Sequence, residues 1–121
     1  MYTGYFANVN KYMAAGLIPV AISRYLPEGY IGFSYKDLAP TAGLLKDWKY
    51  GPHKGDENYY RTVFTETTLD LLESSKVCAD LSAVGELDKV ILICYETSGK
   101  FCHRHLVADW LQQHGVNCTE Y

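Results

Sequence analysis

Apolar positions along this chain fall into two rhythms. Short runs rich in apolar and β-branched residues mark strands over residues 2–6, 17–23, 89–94 and 116–119. Between them, apolar residues recur every third or fourth position. That spacing predicts helices over residues 9–15, 41–48, 58–74, 76–84 and 103–114. Asn8 is a plausible N-cap for the first helix, and Gly16, Gly85 and Gly115 are stops for the first, fourth and fifth. Pro19 stands near the start of its strand, where a missing N–H is best tolerated. The segment after Arg24 carries Pro27, Gly29 and Gly32 and reads as a loop. Val63, Leu69 and Leu72, then Val77, Leu81 and Val84, then Leu106, Val107, Trp110 and Leu111 are the apolar faces expected in the core. Val90-Ile91-Leu92-Ile93-Cys94 has no polar alternation. Such a run suits a central strand covered on both faces. Strands alternating with helices give an α/β class, a single-domain α/β sandwich with a mainly parallel sheet. In such sheets ligands bind at the carboxyl ends of the strands, and the site is expected there.

Composition narrows the classes of function. The 121 residues carry a formal charge of −3, which argues against non-specific binding to duplex DNA. No apolar stretch is long enough to span a bilayer, and the first residues lack the basic start and apolar segment of an export signal. A cytoplasmic location with no membrane partner is expected. Four cysteines at irregular spacing then predict reduced thiols rather than a disulfide framework. The 11 tyrosines either pack at the edge of the core or line an aromatic wall. Tyr25, Tyr30, Tyr35, Tyr59, Tyr60 and Tyr95 are the candidates for that wall.

Candidate chemistry concentrates where the predicted central strand gives way to the last helix. Arg104 falls in the first helical turn, where a cation costs a few tenths to about 1 kcal/mol against the helix dipole. An anion must share its space, either a ligand phosphate or Glu96. Arg24, at the end of another strand, is the best second cation, and the two guanidinium groups are expected to converge on one cleft. Ser98-Gly99-Lys100 adds backbone donors and a further charge, without the spacing of a Walker A loop. Cys102 stands where helix-end amides, Lys100, Arg104 and a protonated His103 would stabilise a thiolate. The alternative for Cys102 is packing at a tight strand-to-helix connection, and Cys94 reads as core. The ten-residue step from Cys94 to Arg104 does not match a cysteine-phosphatase loop. Cys94, Cys102, His103 and His105 offer metal donors, but paired metal-ligand spacings are missing, so no metal site is predicted.

The combination Ile93-Cys94-Tyr95-Glu96, a short loop, Cys102-His103-Arg104 and Leu106-Val107-Ala108-Asp109-Trp110-Leu111 resembles the bacterial and phage family DUF488, a domain of unknown function. Tyr2-Thr3, Val20-Ala21-Ile22-Ser23-Arg24 with Pro27, Leu38-Ala39-Pro40-Thr41 and Tyr59-Tyr60 extend the resemblance through the chain. It implies a compact α/β domain with Cys94, Glu96, Cys102, His103 and Arg104 gathered at one site.

Taken together, these readings predict an anion-recognising pocket for a small phosphorylated or nucleotide-like ligand, or a nucleic-acid end. Arg24, Lys100, Arg104, Ser98 and Tyr95 are the expected ligand contacts. Cys102, His103 and Glu96 are the candidate catalytic groups. No cofactor is indicated. Two alternatives stand beside this reading. One is a non-catalytic protein-binding module in which the Glu-Cys-Arg cluster is structural. The other is a thiol-dependent enzyme.

Overall fold

The computed structural model describes residues 1–97 and 99–121. Its strands and helices run β1 (Tyr2–Tyr5), α1 (Val9–Ala14), β2 (Ile18–Ala21), β3 (Phe33–Ser34), α2 (Ala42–Tyr50), α3 (Glu57–Thr67), α4 (Ser74–Ser82), β4 (Val90–Cys94), α5 (His103–Gln113) and β5 (Thr119–Glu120), with three helices in succession between β3 and β4. The five strands form one sheet in the order β3-β2-β4-β1-β5, and every pairing is parallel. β4 is central, with all five of its residues buried, as its unbroken apolar run predicts.

Alternate residues of β4 feed two cores. Ile91 and Ile93 face Tyr12 of α1 and Leu17. Val90 and Leu92 face a larger cluster that includes Leu44 of α2, Phe64 of α3, Leu81 of α4 and Leu111 of α5. The sheet is thus sandwiched between α1 and the other four helices. Among the described residues, no helix is long and apolar enough to cross a membrane.

Several boundaries differ from the sequence pattern; the last strand, expected over residues 116–119, is Thr119–Glu120, and three further differences are instructive. The helix expected over residues 58–74 ends at Thr67, and Leu69–Leu71 form a separate 3₁₀ turn. Threonine chemistry explains the break. The Thr65 and Thr67 hydroxyls donate back to the Arg61 and Val63 carbonyls, while the buried Thr68 hydroxyl turns away to the carbonyl of Ala39. The strand β3 is only two residues long, too short for any periodicity to announce it. Asn8 makes no side-chain cap; its amide donates to the Tyr5 hydroxyl instead.

Close approach of α1 to the sheet depends on Gly4. A Cβ there would lie 2.5 Å from Oη and 2.6 Å from Cζ of Tyr12. The Tyr12 hydroxyl accepts from the Tyr5 N–H at 3.2 Å, and its ring packs edge-on to Tyr121. The ring therefore has little room to move. Gly4→Ala should cost about 1–3 kcal/mol in urea unfolding. In a Tyr12→Leu background the same substitution should cost clearly less. Equal costs in both backgrounds would show that the Tyr12 ring is not the obstacle.

Candidate functional site

The carboxyl ends of β2 and β4 open into a cavity of about 290 Å³. Ser23, Arg24 and Tyr25 reach it from the end of β2, and Cys94, Tyr95 and Glu96 from the end of β4. Pro40, Leu45, Trp48 and Lys49 close one side, with Tyr60 from α3. Phe101, Cys102 and His103 enter at the start of α5. Trp48, Tyr60 and Phe101 pack on one another with ring centroids 5.2 Å apart, making a three-ring wall.

His103 is held at the floor of this cavity. It is buried, and its Nε2 lies 2.7 Å from the Ile22 carbonyl oxygen. A carbonyl only accepts, so Nε2 carries the proton and Nδ1 presents a lone pair. Nδ1 lies 3.8 Å from Sγ of Cys102. Burial, above all, pushes the imidazole pKa down to about 4; the Arg104 charge adds to this, and the Ile22 bond opposes it. The ring is neutral near pH 7. The protonated His103 expected beside Cys102 is therefore replaced by a neutral base.

Cys94 and Cys102 stand together on the same floor. Their sulfurs are paired as a disulfide, with Cα atoms 7.4 Å apart, where the sequence predicts reduced thiols. Cys94 does not merely fill the core. It lines the cavity, and its sulfur accepts from Nη1 of Arg104 at 3.2 Å. The positive charge anticipated near Cys102 thus bears on Cys94. The other two cysteines lie elsewhere. Cys78 is half-buried on α4, and Cys118 is buried, which pushes its thiol up to about 11.

Arg104 is fully buried and does not line the cavity. Its Nε and Nη2 donate to the Glu120 carboxylate at 3.0 and 2.8 Å, and Nη1 donates to the main-chain carbonyl of Glu96. The guanidinium also lies over the Tyr5 ring, 5.7 Å from its centroid. The anion required by a cation in the first helical turn is thus Glu120, brought beside β1 by β5. Thr3 donates to the same carboxylate. Arg24 and Arg104 do not converge on one cleft. Arg24 alone reaches the cavity, its Nε donating to the Pro40 carbonyl at 2.9 Å.

The remaining expected residues divide similarly. Tyr95 and Glu96 line the cavity, and Tyr95 rests against Phe6. Lys100 is exposed and outside the lining. Ser98 lies outside the described residues. Of the tyrosines proposed for an aromatic wall, Tyr25, Tyr60 and Tyr95 line the cavity. Tyr30 packs on Phe6, Tyr35 donates to Asp80, and Tyr59 stacks on His53. Trp48 and Lys49 escape the sequence reading because they sit in a helix without a motif, and Phe101 because its charged and thiol neighbours draw the chemistry to themselves. Their common signal is an aromatic residue beside a lysine: Trp48-Lys49 and Lys100-Phe101.

The family model DUF488-N3a, described as the active DUF488-N3 subclade, matches residues 10–115. No curated protein and no solved structure matches the chain.

Proposed function

Because the chain belongs to the DUF488 family, we propose that its cavity binds a small nucleotide-like anion and carries the chemistry of an active member. The observation that carries this reading is one cavity with an aromatic wall, two rim cations and a floor of two sulfurs and a neutral imidazole. Trp48, Tyr60 and Phe101 offer ring surface to a planar base. Arg24 and Lys49 supply positive charge for a phosphate. Glu96 and His103 are the proton-handling groups within reach of such a ligand. In this reading Arg104 is a structural residue, and the phosphate contact falls to Arg24.

Trp48 provides the readout. Titrating nucleoside monophosphates should quench its fluorescence, because the ligand would stack in the same cavity. A charge-assisted hydrogen bond contributes about 1.5–3 kcal/mol. Arg24→Ala should therefore weaken binding about 10- to 100-fold, while loss of its bond to the Pro40 carbonyl should cost only about 0.5–1.5 kcal/mol in urea unfolding. The free nucleoside should bind as weakly to wild type as the monophosphate binds to the variant. Quenching by nucleosides and monophosphates alike, indifferent to Arg24→Ala, would reject the phosphate contact.

A second reading is favoured by one feature. Tyr25, Leu26, Ile31 and Phe33 are all exposed around one loop, Ile31 at 94%. Exposed apolar surface of this kind suits a protein partner. If nucleotides fail to bind and Ile31→Ser abolishes association with a protein partner, the binding-module reading replaces the first.

A further inference from the structure

The structure assigns a second role to the cavity floor: when a dithiol reductant has opened the Cys94–Cys102 disulfide to two thiols, Cys94, Cys102 and His103 form a Cys₂His site for one zinc-class divalent ion, the two thiol protons leaving to water as it binds, with its open side facing the cavity. The proposal shares the cavity with the ligand reading above: a metal would take His103 out of proton handling and leave that role to Glu96, while the aromatic wall and the Arg24 phosphate contact would be unchanged.

Three observations carry it. The ligand atoms of these three residues all lie within 4.8 Å of one another, and all three residues are buried. A cluster this tight can share one ion, since zinc binds sulfur at about 2.3 Å and imidazole nitrogen at about 2.0–2.1 Å. The second observation is the tautomer of His103. Its Nε2–H is fixed on the Ile22 carbonyl, which leaves Nδ1 as the lone pair beside Cys102. Metal-bound histidines are oriented in this way, by donating the other ring N–H to a carbonyl or carboxylate. The third is the backbone spacing. The Cα atoms of Cys94 and Cys102 stand 7.4 Å apart. Ordinary disulfides span about 4.4–6.8 Å between Cα atoms. In the reduced protein this spacing suits two sulfurs that flank a shared ion.

The surroundings fit the charges. Two thiolates and a neutral imidazole balance a divalent cation. Arg104 donates to Cys94 Sγ and is itself balanced by Glu120, so it can hold that sulfur in place without an uncompensated charge. Thiolates with imidazole select a borderline-soft ion such as zinc over magnesium or calcium. Three protein ligands leave a fourth position open, the arrangement of catalytic rather than structural zinc. That position would face the cavity these three residues line, where a bound ion supplies Lewis acidity to a ligand oxygen or a water. Sequence spacing could not reveal the site. Its sulfurs come from a strand end and a helix start rather than from a short paired motif.

The test uses full-length protein, reduced, stripped with a chelator and titrated with cobalt(II) as the probe. One equivalent should produce a thiolate-to-cobalt charge-transfer band and the intense visible bands of a tetrahedral site, and one equivalent of zinc should bleach both. Cys102→Ser should weaken cobalt binding about 100-fold or more, whereas Cys78→Ala should leave it unchanged. His103→Gln, checked for folding by circular dichroism, should lose the tetrahedral signature. If a variant fails to fold, alkylation of the wild-type protein decides. Zinc should shield Cys94 and Cys102 from iodoacetamide and leave Cys78 labelling at its metal-free rate. No cobalt spectrum in the reduced protein would overturn the proposal. So would a spectrum retained in Cys102→Ser, or no zinc protection of the two thiols. Nucleotide binding that survives metal removal would leave the ligand reading standing while the metal result is decided on its own.

Discussion

Glu120→Ala should destabilise the protein by about 3–5 kcal/mol, because its carboxylate is the counter-charge of a fully buried guanidinium. The Arg104 guanidinium is fully buried, and the Glu120 carboxylate is its counter-charge through Nε and Nη2. Removing the carboxylate leaves a buried cation that keeps its bonds to the Glu96 carbonyl and the Cys94 sulfur but has lost its counter-charge. Replacing both partners is a different change. Arg104→Met combined with Glu120→Leu should recover much of the loss, because an apolar pair of similar volume removes the desolvation cost of both charges. The measurement is urea unfolding of the two single variants and the double variant. The Glu120 side chain is 28% exposed, so water can reach one end of the pair. If Glu120→Ala costs under about 1 kcal/mol, the pair behaves as a surface ion pair. Arg104 would then be hydrated and open again to an anionic ligand.

The same pair sets an acid limb. Burial alone would raise the Glu120 pKa, but hydrogen bonds from Arg104 and Thr3 and the Arg104 charge outweigh it and hold the carboxyl below its usual range. A depressed carboxyl adds stability above its unfolded pKa of about 4.3 and loses it as pH falls through the lower folded value. Glu120→Gln should therefore flatten the stability profile below about pH 4.3 and lower the plateau above it.

Much of this architecture is legible in the chain, and the exceptions have physical causes. The run from Val90 to Cys94 announces a central strand because nothing in it tolerates water. The demand that Arg104 have an anion follows from the helix dipole alone. Its partner does not follow, because Glu120 becomes a neighbour only when β5 pairs with β1. Glu96 is nearer in sequence, yet it supplies its main-chain carbonyl to Arg104. Cys94 is apolar in company and yet lines the cavity, since the last residue of a central strand is both core and rim. Periodicity sees the first role and not the second. The aromatic wall is hidden for a similar reason. Trp48, Tyr60 and Phe101 come from α2, α3 and the loop before α5, and only the fold brings their rings together.

Phe64→Ala should cost about 3–5 kcal/mol, close to the largest effect a single core truncation produces. The ring is fully buried on α3 and sits among residues from α2, α4, α5 and the sheet. It also meets the His103 ring edge-on at 5.5 Å, so it backs the cavity floor. Truncation would open a void there and free the imidazole to leave the Ile22 carbonyl. Phe64→Leu keeps most of the volume and should cost under about 1.5 kcal/mol. A second phenylalanine is the control. Phe33 lies on β3 and is 50% exposed, so Phe33→Ala should stay within about 0.5 kcal/mol of wild type. Urea midpoints for the three variants decide the matter. A Phe33→Ala loss as large as that of Phe64→Ala would mean that the apolar loop around Ile31 is packed in solution against a further surface, such as a second copy of the chain. A small Phe64→Ala loss would mean that α3 is docked by its other contacts, with His103 positioned by the Ile22 carbonyl alone.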